Sequence, residues 1–222
     1  MGQLEDDGVT VRKRVLTEAA VVSLRPHFDA VAPHGPGARS FDLPQDIQAV
    51  IGEHGPMGTL AASLVARSVW PVRILFFDKT PESNWGVPWH QDRTIAVRAR
   101  HEIDGYGPWT NKNDVLHVEP PVAVLENMLT LRLFLDDCGV ENGPLEVARG
   151  SHRFGRVPAQ DVKKIVEQSE VFIGTGQSAD VLAMKFLAIH RSKRAQLPAH
   201  RRVLHVDYAS FPLPAPLQWA LH

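Results

Sequence analysis

Between Asn127 and Asp137 the chain alternates with a period of two: leucines stand at 129, 131, 133 and 135, with Thr130, Arg132 and Phe134 between them. Successive side chains of a β-strand point to opposite faces, so one face of this segment is all leucine and belongs to a core. The other face carries an arginine between a threonine and a phenylalanine. A guanidinium buried without a partner is very costly. Arg132 therefore needs a buried acceptor, an anion held in a cavity, or open water, and the strand reads either as a cavity wall or as a sheet with one solvated face.

Other segments have strand character. Val72 to Phe77 is β-branched and aromatic and is closed by Asp78-Lys79-Thr80-Pro81; Leu145 to Ala148, the long apolar run Val181 to His190, and Arg201 to Tyr208 follow, with a short strand at Val9-Thr10-Val11. Asp136-Asp137-Cys138-Gly139 and Glu141-Asn142-Gly143-Pro144 are turn signals. From Pro44 to Val69 the apolar spacing is helical, through Ile47, Val50 and Ile51 and then Leu60 and Leu64. These helices are expected on the outside of a sheet. A surface helix is expected from Pro158 to Ser169, a Pro/Gly loop from Ala32 to Gly37, and no central strand in the proline-rich tail. Residues 101–119 are polar and punctuated by Gly and Pro, with aromatics at Tyr106 and Trp109; they read as a substrate-covering lid or a mobile loop. Neither repeat nor linker divides the chain. The expectation is one domain over 1–222, an N-terminal helical and extended flank (1–70) and a core (72–208), mainly β with outer helices: a cupin-like jelly roll.

Composition narrows the partners. Lys+Arg 24 against Asp+Glu 25 leaves a net charge of −1, which argues against nucleic acid or an anionic membrane as the main partner. No apolar run reaches the ~20 residues of a membrane-spanning helix, and the acidic start Leu4-Glu5-Asp6-Asp7 is unlike a signal peptide. The single cysteine, Cys138, suits a reducing compartment. These features point to a soluble, cytoplasmic protein acting on a small molecule, of undetermined oligomeric state.

The chemistry centres on Trp85-Gly86-Val87-Pro88-Trp89-His90-Gln91-Asp92, read together with Arg93 to Val97 as one strand. On a strand His90 and Asp92 share a face, supplying two of the three ligands of the 2-His-1-carboxylate arrangement of non-haem Fe(II). The alternative is a strand histidine bonded to a neighbour. His-x-Asp recurs at His205–Asp207, but of these two pairs it is His90–Asp92 that is followed by a second strand-borne histidine, His190, away from the chain terminus. His190 ends the apolar run, on the face of Leu182, Met184, Phe186 and Ala188, where a satisfied core histidine is the competing reading. A hairpin would then set Arg201, which opens the next strand, beside His190. A metal on His90, Asp92 and His190 would keep open positions, and a guanidinium would stand one dicarboxylate away.

The sequence resembles the phytanoyl-CoA dioxygenase-like branch of the Fe(II)/2-oxoglutarate-dependent oxygenases. Three blocks carry the likeness in order: Asp78-Lys79-Thr80 to His90-Gln91-Asp92, Leu135-Asp136-Asp137 to Gly150-Ser151-His152, and Asp180-Val181-Leu182 through His190-x-Ser192 to Arg201-Arg202 and Tyr208. The resemblance implies a double-stranded β-helix with Fe(II) on His90, Asp92 and His190, and 2-oxoglutarate clamped by Arg201, with Arg202 as the fallback. Arg132, Thr130, Ser192 and Leu75 are further candidates for contact with 2-oxoglutarate, and His152 is structural. Two departures stand out: Arg191 replaces the usual glycine between the distal histidine and the serine, and the chain is shorter than many members. The implied reaction consumes O2 and 2-oxoglutarate, releases succinate and CO2, and hydroxylates an unactivated C–H bond; Asp92 argues against halogenation. Trp85, Trp109, Met184, Phe186 and Arg132 are the candidate substrate residues. The competing functions are a cupin-like metal-dependent isomerase or hydrolase, and a catalytically silent jelly-roll binding protein.

Overall fold

The computed structural model describes residues 3–31, 43–112 and 114–221. The loop expected at 32–37 lies outside them. In chain order the first elements are Gln3–Asp7 (α1), Val9–Arg12 (β1), Glu18–Val31 (α2), Gln45–Ile51 (α3), Pro56–Val65 (α4), Trp70–Lys79 (β2), Val87–His90 (β3) and Ile95–Ala96 (β4). There follow Trp109–Lys112 (β5), Val115–Val118 (β6), Val122–Glu126 (α5), Leu129–Phe134 (β7), Leu145–Ala148 (β8), Val162–Glu167 (α6) and Val171–Gly174 (β9). Val181–Lys185 (β10), His190–Ser192 (β11) and Arg201–Ala209 (β12) complete the set.

A five-stranded sheet runs β1-β10-β7-β12-β2 and a four-stranded sheet runs β3-β11-β8-β9, with β4-β6-β5 as a small third sheet. The two main sheets form the jelly roll. Period-two alternation sets what lies on each side of the larger sheet. Leu129, Leu131, Leu133, Ile74, Phe76, Leu204, Val206 and Tyr208 are buried against residues of α2, α3 and α4, such as Leu24, Phe28, Ile47 and Met57. The helices thus cover its outer face, as the sequence leads one to expect. The opposite face looks into the roll: Phe134, Leu182, Met184 and Val203 meet Leu145 and Val147 of β8. The helix α2 has no such clear signal in the sequence, and its middle carries Pro26.

Two strand expectations and one loop expectation need correction. The strand assumed to run through His90 and Asp92 to Val97 breaks at His90, and the chain re-enters a strand at Ile95, in a different sheet. Gln91 fixes the break: its Nε2 donates to the carbonyls of Gly155 (2.9 Å) and Leu187 (2.7 Å), and its Oε1 accepts from the Val157 N–H (2.8 Å). Each buried group left unpaired costs about 1–3 kcal/mol, so Gln91→Leu is expected to destabilise the protein by roughly 3 kcal/mol. That corresponds to a melting temperature lower by about 6–12 °C, measurable by thermal denaturation.

The apolar run Val181 to His190 is likewise two strands, with a turn closed by the Ala188 N–H on the Lys185 carbonyl. All four turn residues, Phe186, Leu187, Ala188 and Ile189, are buried. A turn packed inside a core carries no polar signature, which is why the run looks continuous. Residues 101–119 are not a structureless loop either: Trp109 to Lys112 pairs antiparallel with Val115 to Val118.

Candidate metal centre

His90 closes β3 and His190 opens β11, and the two are direct partners in the antiparallel ladder. Their ring centroids lie 4.3 Å apart. Asp92 follows two residues after His90 in the irregular segment, and the ligand-type atoms of His90, Asp92 and His190 all lie within 4.8 Å of one another. The ladder, rather than alternation along one continuous strand, brings the histidines together.

Each imidazole is oriented in the same way. The Nδ1 of His90 lies 2.8 Å from the Pro88 carbonyl and that of His190 lies 2.9 Å from the Ala188 carbonyl. A carbonyl only accepts, so Nδ1 carries a proton in both rings and Nε2 is the nitrogen turned toward the cavity's ligand set, the atom through which a ring so held would bind a metal. Burial, and then His90, push the His190 pKa down to about 3, which keeps that ring neutral. Burial alone would raise the Asp92 carboxyl, but the Arg73 guanidinium, with smaller help from His190, His205 and His90, holds it well below the usual carboxylate range.

The three residues line a cavity of about 150 Å³, together with Leu75, Trp85, Arg132, Ser192 and Arg201 from the expected set. Arg201 does not reach it by a hairpin with β11. The strand β12 pairs with β2 and β7 in the larger sheet, while β11 pairs with β3 and β8 in the other. The guanidinium therefore faces the histidines across the roll. Its Nη1 donates to the Gly143 carbonyl (2.7 Å), and its buried Nε has no partner among the described residues. Arg202, the fallback, instead forks onto Asp136 by two 2.8 Å bonds. Beside Arg201 in the β2 ladder stands Lys79, whose Nζ donates to Ser192 Oγ (2.8 Å) and to the Lys193 carbonyl. Burial, followed by Arg201, pushes the Lys79 pKa down to about 7.

Arg132 finds a buried acceptor, one of the alternatives its place on a core strand leaves open. Its Nη1 donates to His205 Nδ1 (2.8 Å), and its guanidinium lies 5.1 Å over the Phe77 ring. Burial, and then Arg201, push its pKa down to about 10. Four expected site residues are not in the cavity wall. Met184 lies in the core between the sheets, and Phe186 packs with Val72 and Leu187, because the turn after β10 swings it away. Thr130 is buried behind the wall, where its hydroxyl donates to Asp207. Trp109 packs on the far side of its hairpin, with Arg100 5.5 Å over its ring. Lys112 of the same strand lines the cavity instead. His152 sits apart, with Nε2 3.2 Å from the Glu5 carbonyl.

Several wall residues were missed, among them Arg73, Phe77, Lys112 and His205. Alternation could have found the first two, since Arg73, Leu75 and Phe77 share a face of β2. The pair His205–Asp207 proves to be part of the site's surroundings rather than an idle repeat. A further His-x-Asp, His27–Asp29, lies on α2, where His27 Nε2 meets Asp46 at 2.7 Å.

Two imidazoles and one carboxylate around an open cavity suit Fe(II), and a buried guanidinium with no carboxylate partner among the described residues, opposite them, suits the far carboxylate of 2-oxoglutarate. No curated protein matches the sequence. Solved structures share the fold. AviO1 from Streptomyces viridochromogenes Tue57 is 21% identical with a TM-score of 0.68, over 96% of this chain and 95% of that one. SnoK, a non-heme alpha ketoglutarate dependent carbocyclase from nogalamycin biosynthesis, is 16% identical at TM-score 0.69, over 93% and 81%. HygX from Streptomyces hygroscopicus, solved with nickel and 2-oxoglutarate bound, is 15% identical at TM-score 0.63, over 94% and 85%. A family model closes the question that the three sequence blocks opened: it matches residues 4–203, and the chain belongs to the phytanoyl-CoA dioxygenase family.

Proposed function

We propose that the protein is an Fe(II)- and 2-oxoglutarate-dependent oxygenase that hydroxylates an unactivated C–H bond of a small molecule. One observation carries the reading: His90 and His190 from one sheet, Asp92 just after β3, and Arg201 from the other sheet line a single cavity. In this reading His90, Asp92 and His190 hold the metal, and Arg201 grips the cosubstrate's distal carboxylate. Ser192, bonded to Lys79, borders that carboxylate, and Leu75 and Arg132 form the wall along it. Iron and 2-oxoglutarate, when bound, supply the oxidising power that breaks the C–H bond, with succinate and CO2 as coproducts. The chain's own part is to orient both, to exclude water behind a wall of Phe77, Val87 and Leu145, and to present the substrate from the Trp85 side.

All these groups fall within 72–208, which supports treating 1–222 as one oxygenase domain with its core there. Among the described residues no helix is long and apolar enough to cross a membrane. With a single cysteine, we assign the protein to the cytoplasm. The name of the carbocyclase SnoK keeps ring formation in view as another outcome of the same chemistry.

The test is succinate production from 2-oxoglutarate under Fe(II) and O2 with a panel of metabolites, against a His90→Ala control. Succinate above the control, stimulated by at least one panel member, is the expected result. Equal, background succinate from both proteins, with and without the panel, counts against the reading.

A further inference from the structure

Asp92 has a weakness as a ligand. It stands after β3 has ended, where no strand ladder holds its backbone. A carboxylate in such a segment can pivot, or close on a metal with both oxygens. Chelation by both would take a coordination position that a bidentate cosubstrate or O2 requires.

Behind it lies a buried assembly that answers this weakness. Arg73 and Asp207 are register partners in the β2–β12 ladder. The Nε of Arg73 donates to Asp207 Oδ2, and its Nη2 donates to Asp92 Oδ2 at 3.3 Å. Asp207 is itself immobilised, since its Oδ1 takes the Thr130 hydroxyl at 2.7 Å and lies 3.1 Å from His205 Nε2. The Phe186 ring, 5.7 Å from the guanidinium, packs against it. Among the described residues, Asp92 Oδ1 accepts no hydrogen bond from the protein.

We propose that Arg73 is a positioning residue for Asp92: anchored by Asp207, Thr130 and His205, it occupies one carboxylate oxygen and leaves the other to the metal. This inference rests on the oxygenase reading. It gives the second His-x-Asp a role, as the support of the first. It also assigns a task to Thr130, which the resemblance had put on the cosubstrate. Outer partners of this kind fix ligand orientation, and their loss typically weakens metal binding about 10–100-fold. The competing account is that Arg73 only neutralises the buried Asp207.

Calorimetric titration of Co(II) into the full chain separates the two accounts. The visible charge-transfer band of the anaerobic Fe(II)–2-oxoglutarate complex serves as a second readout. Arg73→Leu is expected to weaken Co(II) binding by about 10–100-fold and to shift or broaden the band. Arg73→Lys should recover only part, since one ammonium cannot fork between two carboxylates. Removing one member of a buried pair strands the other charge, so Arg73→Leu/Asp207→Leu serves as the fold control. It should melt closer to wild type than Arg73→Leu alone and still bind Co(II) weakly. Wild-type Co(II) affinity in that double variant overturns the proposal. Should neither Leu variant fold, Asp207→Asn keeps the side-chain shape and loosens the anchor. It is then expected to lose Co(II) affinity several-fold, and an unchanged affinity overturns the proposal. A wild-type protein that binds no Co(II) removes the oxygenase reading itself, and this inference with it.

Discussion

Replacing Arg201 by leucine is expected to raise the KM for 2-oxoglutarate by about 100-fold, equivalent to ~2.7 kcal/mol, while the protein melts at the wild-type temperature or above. The two halves of this expectation have one cause. Among the described residues Arg201 is buried without a carboxylate partner; its Nη1 meets a backbone carbonyl and its Nε meets nothing. Such a group is held against a desolvation cost that its own fold does not offset, so an apolar replacement need not destabilise. The missing anion is what the cosubstrate brings. A charge-assisted bond contributes about 1.5–3 kcal/mol, which sets the size of the KM effect. Lysine at 201 should fall between, because it keeps the charge and loses the fork. The neighbouring Lys79 offers residual attraction, so the loss should be large rather than complete. An isomerase or hydrolase built on the same three ligands has no need of a dicarboxylate. Metal-dependent turnover without 2-oxoglutarate, indifferent to Arg201→Leu, would favour that account.

The place of Arg201 in one cavity with His90, Asp92 and His190 was legible in the sequence, but the route by which it arrives was not. Its distance along the chain from His190 is a local property, and so is the alternation that buries every second residue of β12. A hairpin is the simplest way to connect two such strands. The structure instead assigns them to opposite sheets, and the decision lies in pairings with β2, β3, β7 and β8 that are far away in sequence. The same holds for Asp92. That it shares a side with His90 could be read from a period of two, yet the strand stops between them because Gln91 is tied to segments some 60 and 100 residues on. Side-chain amides of this kind leave no local pattern.

Substrate residues were the least legible. Met184 and Phe186 were chosen because they share the face of His190 on a strand assumed to be continuous, and a buried turn broke that assumption. Arg132 shows the opposite case. The demand for a partner was read correctly from one arginine on a core strand, but nothing local named His205, its ladder partner on β12. A single residue type can show that a cost exists. Only the fold shows where it is met.

Asp92→Ala is expected to reduce Co(II) affinity by more than the ~10–100-fold that outer-shell losses bring, and millimolar formate should restore part of it. The substitution leaves two imidazoles with Nδ1 still tied to Pro88 and Ala188, so the remaining half-site keeps its geometry. It also leaves Arg73 on Asp207, with its Nη2 directed at the space the carboxylate vacated. Formate is small enough for that space, and one of its oxygens would meet the guanidinium as Asp92 Oδ2 does. His190→Ala should lose affinity comparably and gain nothing from formate, because the missing donor there is a nitrogen with no guanidinium behind it. Imidazole is the additive to compare in that variant. Calorimetry of both variants with each additive gives a two-by-two result, independent of any substrate. Rescue of Asp92→Ala by formate alone is the outcome the site predicts. Equal rescue of both variants, or of neither, would mean that these side chains do not share one cation in the way their positions suggest.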